Sequence, residues 1–228
     1  MVGGLVPLTT VDYPNRLSAV IFCQGCPWRC SYCHNRHLLP CKAENPIPWA
    51  QVRAFLEKRR DFLEAVVFSG GEPLMQAALE AAVPEVRDMG FRVALHTGGS
   101  DPDRFARLLP LLDWVGFDVK APFDDYDRIT HVPGSGDTAL ASLRHLLERG
   151  IPYEVRTTVP AGLLTENDLL RLAGDLSALG VNNWVLQECR ETDGKIDRGP
   201  DETADLLSDD ALLSALAKPF HLFDVRQA

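Results

Sequence analysis

Cys26, Cys30 and Cys33 stand in the spacing C-x3-C-x2-C, within Phe22-Cys23-Gln24-Gly25-Cys26-Pro27-Trp28-Arg29-Cys30-Ser31-Tyr32-Cys33-His34-Asn35, directly after a short apolar run. Three thiolates on one tight loop are soft ligands, which select zinc, copper(I) or an iron–sulfur cluster over hard cations. On a four-iron cluster, three protein ligands leave one iron open, and chemistry could happen at that corner. Two other readings use the same residues. With His34 as a fourth ligand the loop is a Cys3His structural zinc site, and with no metal the cysteines are buried thiols. Cys23, Cys41 and Cys189 lack the spacing and read as non-ligands.

Other chemistry-bearing residues stand at the ends of apolar runs. In Gly70-Gly71-Glu72-Pro73 two glycines let the backbone approach a ligand, and Glu72 could accept a hydrogen bond from an ammonium group. The plainer reading is a turn. Asp118 and Lys120, two residues apart on one strand face, suit a ribose hydroxyl or a carboxylate, or else form a salt-bridged strand end. His96 is either a cavity residue or a satisfied core histidine. Arg156 is either a carboxylate clamp or an ion-pair partner of Glu154. Tyr32 either faces a ligand or packs its own loop.

The elements that must position these residues alternate. Strand-like runs at Leu17–Phe22, Ala65–Ser69, Phe91–His96, Asp113–Lys120, Tyr153–Val159 and Asn183–Gln187 are separated by helix-like stretches at Trp49–Arg60, Leu74–Met89, Pro102–Leu109, Thr138–Arg149, Glu166–Leu179 and about Thr203–Ala217. Thr138 and Thr165 are placed as N-caps. Phe220–Val225 could add a short strand, and the composition of 190–201 marks a mobile loop.

Within the strands one face is apolar and the other polar: Val115, Phe117 and Val119 oppose Trp114, Gly116, Asp118 and Lys120. A parallel sheet covered by helices on its apolar face and turning a polar face inward encloses an occupied cavity. The expected fold is α/β, a partial (β/α)6 TIM-like barrel with helices on the outer face. The chain is shorter than the roughly 250 residues of the closed eight-stranded form, so a side opening follows. The motifs then converge on the carboxyl ends of six strands.

Length and charge narrow the function. At 228 residues and 46% hydrophobic, the chain reads as one domain over 1–228. A net charge of -9 repels nucleic-acid phosphates, which favours a protein or small-molecule partner. Nothing in Met1–Thr10 reads as a leader and no segment approaches membrane-spanning length, so the expected location is cytoplasmic with no membrane partner. Four cysteines crowded between Cys23 and Cys33 suit a reducing compartment.

The cysteine loop resembles the signature of the radical S-adenosyl-L-methionine (SAM) enzymes. The entry segment Leu5-Val6-Pro7-Leu8-Thr9-Thr10-Val11-Asp12-Tyr13-Pro14, with Gln24–Cys30 and Cys33-His34-Asn35, resembles activating proteins of anaerobic ribonucleoside-triphosphate reductase, which are glycyl-radical-enzyme activases. That resemblance implies a 4Fe-4S cluster on Cys26, Cys30 and Cys33, with SAM at the open iron. Gly70, Gly71 and Glu72 would match the segment holding the SAM amino group, and Asp118 and Lys120 a D-x-K segment that contacts SAM. His96 would take a strand-three contact and Tyr32 a place beside the adenine; Arg156, on its position alone, reads as a carboxylate clamp in the same cavity. Where the resemblance predicts a histidine after strand six, this chain has Gln187-Glu188-Cys189. With Cys41 the only cysteine between the triad and the Gly-Gly-Glu segment, one cluster is implied. The implied reaction uses one electron, from a low-potential donor such as flavodoxin, to cleave SAM to a 5′-deoxyadenosyl radical that takes hydrogen from a glycine of the partner. The rival readings are a radical SAM enzyme acting on a small molecule, like the deazaguanine-forming enzymes, and a Cys3His zinc-binding interaction module.

Overall fold

The computed structural model describes residues 1–189 and 206–227. The loop expected to be mobile, 190–201, lies outside the described residues. The strands are β1 (Val2–Thr9), β2 (Ser18–Cys23), β3 (Ala65–Gly70), β4 (Arg92–Thr97), β5 (Trp114–Asp118), β6 (Tyr153–Val159), β7 (Asn183–Glu188) and β8 (Leu222–Arg226). The helices are α1 (Trp49–Glu57), α2 (Leu79–Asp88), α3 (Pro102–Leu108), α4 (Asp127–Thr130), α5 (Ser135–Arg149), α6 (Glu166–Ala178) and α7 (Asp210–Ala217). One sheet runs in sequence order from β1 to β8, parallel from β2 onward, with β1 antiparallel to β2. No pairing joins β1 to β8 among the described residues, so the sheet is a partial barrel that stays open. No helix among them is long and apolar enough to cross a membrane.

All six expected strand–helix units form, and two edge strands extend them. β8 falls close to the expected run. β1 was not legible, because Gly3, Gly4 and Pro7 depress strand propensity. At a sheet edge Pro7 is tolerated, and the register shifts between Val6 and Thr9. The expected helix Leu74–Met89 divides into a 3-10 turn at Pro73–Met75 and α2. α5 begins three residues before Thr138, which therefore is no cap: its hydroxyl donates to the Gly134 carbonyl inside the first turn, while the Asp127 carboxylate receives the Gly134 and Ser135 amides. Thr165 does cap α6, in a reciprocal pair with Asp168.

Packing follows the strand alternation on the outer side. Ile21, Phe68, Leu95, Phe117 and Leu186 meet Val52, Val83, Phe105, Leu143, Leu172 and Leu216 of the helices in one buried cluster. The inner face is polar only toward the carboxyl ends, which corrects the expectation of a polar face throughout. Lower down, Val20, Ala65, Val67, Ala94 and Trp114 form a second cluster, closed by Tyr13 from the β1–β2 connection. The Tyr13 ring stacks on Trp114 at 5.7 Å between centroids. This plug fills the narrow end, leaving the cavity at the carboxyl end, where the motifs stand.

Candidate functional site

The cysteine loop leaves the end of β2 and is held by its own backbone. Gly25 N–H donates to Leu38 O at 2.7 Å, Cys26 N–H to Leu39 O at 3.2 Å and Arg29 N–H to Thr130 O at 2.8 Å. The buried Gln24 amide donates to His37 O and Pro40 O, and the Arg29 guanidinium reaches back to the Cys26 and Trp28 carbonyls. This scaffold orders the loop without spending its thiols.

The glycine pair after β3 serves this loop directly. A Cβ on Gly70, whose φ is +124°, would lie 2.4 Å from the backbone nitrogen of Cys23, and one on Gly71 would lie 2.3 Å from Gly25 O. The space a side chain would need is thus filled by the cysteine loop, not kept open for a ligand. Gly71 N–H donates to Cys23 O at 2.9 Å and Glu72 N–H to Gly25 O at 2.8 Å, sewing the two strand ends together.

Glu72 is buried and faces inward to the chain. One carboxylate oxygen accepts from Leu74 N–H at 3.0 Å and Thr97 Oγ1 at 2.5 Å, the other from Gly98 N–H at 2.9 Å. Burial raises its pKa, and the three donors oppose that rise. Its carboxylate clasps the ends of β3 and β4 through these three donors. Gly98 in turn admits the Trp28 ring, which would lie 2.1 Å from a Cβ there.

At the end of β5, Asp118 pairs with Arg156 Nε at 3.0 Å and Nη2 at 2.9 Å, and lies 3.9 Å from Lys120 Nζ. Gly116 makes the pairing possible, since a Cβ would be 2.7 Å from the guanidinium carbon. Burial alone would raise the Asp118 pKa, but Arg156 and Lys120 hold it below its ordinary value. Glu154, the alternative partner for Arg156, instead forms a bidentate pair with Arg226 of β8 at 2.8 and 2.6 Å. Lys120 Nζ lies 5.7 Å from the Trp28 ring centre and 6.0 Å from that of Tyr32. Burial pulls its pKa down, but Tyr32, Cys30 and Asp118 outweigh this and hold it well above ordinary, so the ammonium stays charged. Tyr126 fixes the turn between them, accepting from Lys120 N–H and donating to Asp118 O.

His96 keeps part of its surface on the cavity. Its Nε2 lies 2.8 Å from the Asp12 carbonyl and its ring meets Trp114 edge-on. Desolvation, reinforced by Arg156, lowers its pKa to about 3. It is a neutral floor residue, close to the satisfied-histidine reading.

All eleven expected site residues, Cys26, Cys30, Tyr32, Cys33, Gly70, Gly71, Glu72, His96, Asp118, Lys120 and Arg156, line a single open cleft of about 820 Å³. Trp28, Thr97, Gly98 and Thr158 also line it and were missed. No motif marks them; only the meeting of separate loops does. Gln187 pairs with Thr158 across β6 and β7 but is not among the lining residues.

The donor set fits a cluster. Cys26 and Cys30 carry thiol pKa values raised by burial, Cys26 to about 12, with Lys120 opposing in both cases. A cationic cluster would draw off these protons on binding. Among the described residues no three His, Cys, Asp or Glu converge closely enough to share one metal ion. Ligands to separate irons need no such convergence. His34 Nε2 lies 3.8 Å from Cys189 Sγ.

The sequence matches the radical SAM superfamily over residues 20–175. The chain belongs to that superfamily. Its members use a 4Fe-4S cluster and SAM. Among the curated relatives, a Methanocaldococcus jannaschii protein named for glycyl-radical enzyme activation is 33% identical over 76% of this chain and 74% of its own. A pyruvate formate-lyase-activating enzyme of Streptococcus mutans is 31% identical over 75% and 71%. A 7-carboxy-7-deazaguanine synthase of Methanopyrus kandleri is 34% identical, but over 54% of each chain. Among solved structures, Streptococcus suis SuiB bound to SAM superposes with a TM-score of 0.68 at 14% identity, covering 92% of this chain and 49% of that one. The anSMEcpe enzyme with bound SAM gives 0.66 at 14% identity, covering 90% and 59%. At this identity the two structures speak for the fold.

Proposed function

We propose that this radical SAM protein is a glycyl-radical-enzyme activase whose partner is anaerobic ribonucleoside-triphosphate reductase, served by a low-potential electron donor such as flavodoxin. Support for activation comes from relatives that cover about three quarters of both chains, and support for the reductase from the entry and triad segments. The observation that carries the choice against a free metabolite is the Arg156–Asp118 pair. A small-molecule enzyme of the deazaguanine type would use Arg156 as a carboxylate clamp, and here the guanidinium is already committed at 2.9 and 3.0 Å.

In this reading Cys26, Cys30 and Cys33 would hold the cluster, and SAM would bind beside it in the cleft. When bound, the cluster would supply one electron, taken from the donor, for cleavage of SAM to methionine and a 5′-deoxyadenosyl radical, and that radical would take hydrogen from a glycine Cα of the partner. Lys120, kept charged between two rings, offers a cation to the SAM carboxylate. Asp118 offers an acceptor whose charge Arg156 preserves. Tyr32 and Trp28 give the adenine end an aromatic wall. Glu72 acts indirectly, by fixing the Gly98 loop and the backbone around Gly70 and Gly71. The plug of Tyr13 and Trp114 shuts the lower end against solvent and the thiols or reductants dissolved in it, which would quench a radical. The open side of the sheet leaves room for a loop of a second protein.

The test is an anaerobic incubation of the iron-loaded protein with SAM, reductant and the reductase from the same cell. An organic radical on the reductase should appear in step with 5′-deoxyadenosine. Deuterium placed on the target glycine Cα should narrow the electron paramagnetic resonance signal and pass into 5′-deoxyadenosine. An unchanged spectrum with no label transfer refutes the assignment and moves the small-molecule reading to first place.

A further inference from the structure

The loop between Cys26 and Cys30 is closed by a side chain that no carboxylate claims. Arg29 donates from one nitrogen, Nη1, to Cys26 O at 2.6 Å and to Trp28 O at 2.8 Å, and its own N–H donates to Thr130 O at 2.8 Å. Two carbonyl oxygens thus converge on a single cationic nitrogen, which gives both bonds charge assistance. Pro27, between them, has no N–H that could take either carbonyl. The neighbouring stretches are tied through the main chain: Gly25 and Cys26 N–H donate to Leu38 O and Leu39 O, and Cys33 N–H donates to Cys30 O at 3.1 Å. Among the described residues the stretch from the first cysteine to the second has no internal bond of that kind, and Arg29 supplies the closure.

The sign of the charge suits what the loop would hold. From Gln24 to Ala43 there is no Asp or Glu, although acids outnumber bases 32 to 23 over the chain. The guanidinium groups of Arg29 and Arg36 are exposed and bond loop carbonyls, Arg36 that of Ser31 at 2.7 Å, whereas Arg53, Arg87, Arg107 and Arg171 are each set against a carboxylate. Three thiolates outweigh the charge of an iron–sulfide core, so a ligated 4Fe-4S cluster is a net anion, more so after it takes an electron. A fixed cation behind a ligand residue therefore favours the reduced form, and cluster potentials follow net charge and the hydrogen bonds made to the sulfurs. The Trp28 amide is one of the groups that favour the Cys26 thiolate, and Arg29 holds that same residue by its carbonyl.

We infer that Arg29 is a positioning residue for the cluster: by drawing the Cys26 and Trp28 carbonyls onto one nitrogen it fixes the loop between the first two ligands and raises the reduction potential of the cluster bound there. It acts through Cys26 and Trp28 and touches neither SAM nor the reacting atoms. The inference rests on the cysteine assignment and not on the choice of partner. Arg36 offers a comparison within the same loop, since it places a similar cation on the next stretch, which already has its own main-chain tie. If closure is what matters, a charge removed at Arg36 counts for less than the same charge removed at Arg29.

The test compares Arg29→Met, Arg29→Lys and Arg36→Met in iron-loaded protein prepared without air. Each is read by iron content, by the rate of iron loss to a chelator, and by the cluster midpoint potential from a redox titration followed by electron paramagnetic resonance. Arg29→Met should make the potential more negative, by about three- to tenfold in the equilibrium constant for one-electron reduction or ~30–60 mV, and should speed iron loss on the order of tenfold. Arg29→Lys keeps a cation for the two carbonyls and should recover at least half of the shift, while Arg36→Met should show less than half of it. Thermal unfolding of the metal-free chains separates folding from tuning, and Arg29→Met should melt within a degree or two of wild type. If that variant fails to fold, Arg29→Gln serves as the neutral variant in its place. An unmoved potential in the neutral variant overturns the inference, and so does an equal shift in Arg36→Met, which would assign the effect to net charge alone. Wild-type protein that binds zinc and no iron refutes the cysteine assignment itself, so the two failures are distinguishable.

Discussion

Glu72→Gln separates two roles that one carboxylate could play. In the structure three donors converge on it: Leu74 N–H, Thr97 Oγ1 and Gly98 N–H. A carboxamide keeps one acceptor and turns a donor toward the remaining partner. The less costly orientation keeps the doubly bonded oxygen and leaves Gly98 N–H facing an NH2 group. An unsatisfied buried N–H costs about 1–3 kcal/mol, and the two surviving bonds lose their charge assistance. Relief of a desolvated charge offsets part of this, so the expected net destabilisation is about 2–3 kcal/mol. For a chain of this size that is a fall in Tm of roughly 5–10 °C. The assay is anaerobic thermal unfolding without and with SAM, alongside a SAM titration. A clasp lowers Tm in both states, weakens SAM through displacement of the Gly98 loop, and gives a non-additive double mutant with Thr97→Val. If Glu72→Gln leaves the SAM-free Tm within a degree or two of wild type while SAM affinity collapses, Glu72 acts on the ligand itself and the clasp reasoning is refuted.

Replacing each cysteine by alanine should abolish iron uptake at Cys26, Cys30 and Cys33 and leave it at Cys23, Cys41 and Cys189; iron analysis of the six variants decides. Gly116→Ala should push the Arg156 guanidinium off Asp118, since its Cβ would be 2.7 Å from the guanidinium carbon. Because that side chain can bend away, Tm should change little while SAM binding weakens on the order of tenfold, as read by calorimetry. His96, with its pKa lowered to about 3, stays neutral in the folded chain at pH values where the unfolded chain takes up a proton. Its contribution to stability is therefore present above about pH 6.5 and lost as pH falls toward 3. Between pH 7 and 5 the wild type should lose about 1–2 kcal/mol more than His96→Gln in denaturant unfolding, the lower end reflecting the part of the ring that faces the cleft.

What the sequence makes legible here is periodic or local. The alternation of Val115, Phe117 and Val119 with Gly116, Asp118 and Lys120 is a property of one strand, and it correctly placed Asp118 and Lys120 in the cleft with the cysteines. The triad was legible because its ligands sit on one loop. Illegible features depend on two segments meeting. Trp28 and Gly98 lie 70 positions apart, and neither announces that the ring of one fills the missing Cβ of the other. Glycines at 70 and 71 were visible, but not what occupies the space beside them. The β1 strand escaped because an edge tolerates a composition that propensity rejects. The alternative of an ion pair between Glu154 and Arg156 could not be decided locally, because the partner of Glu154, Arg226, belongs to a strand 72 residues away.

These meetings form a circuit, and the circuit has a consequence for the chemistry. The cysteine loop is bonded to the end of β3 through Gly71 and Glu72, β3 to the end of β4 through the Glu72 carboxylate, and β4 back to the cysteine loop through Trp28 on Gly98. Trp28 then carries Lys120, which neighbours Asp118, which holds Arg156. The links run through backbone, through packed rings or through largely buried and paired side chains, so the groups facing the cleft are positioned before any ligand arrives. Ordering is then paid during folding, not on binding, which favours a site that must align a scissile bond within a fraction of an ångström. A site of this kind distributes the effect of a substitution around the ring: a disturbance at Gly71, far from any adenine or carboxylate, reaches Lys120 through three contacts, whereas loss of one link after another is already lost should add little.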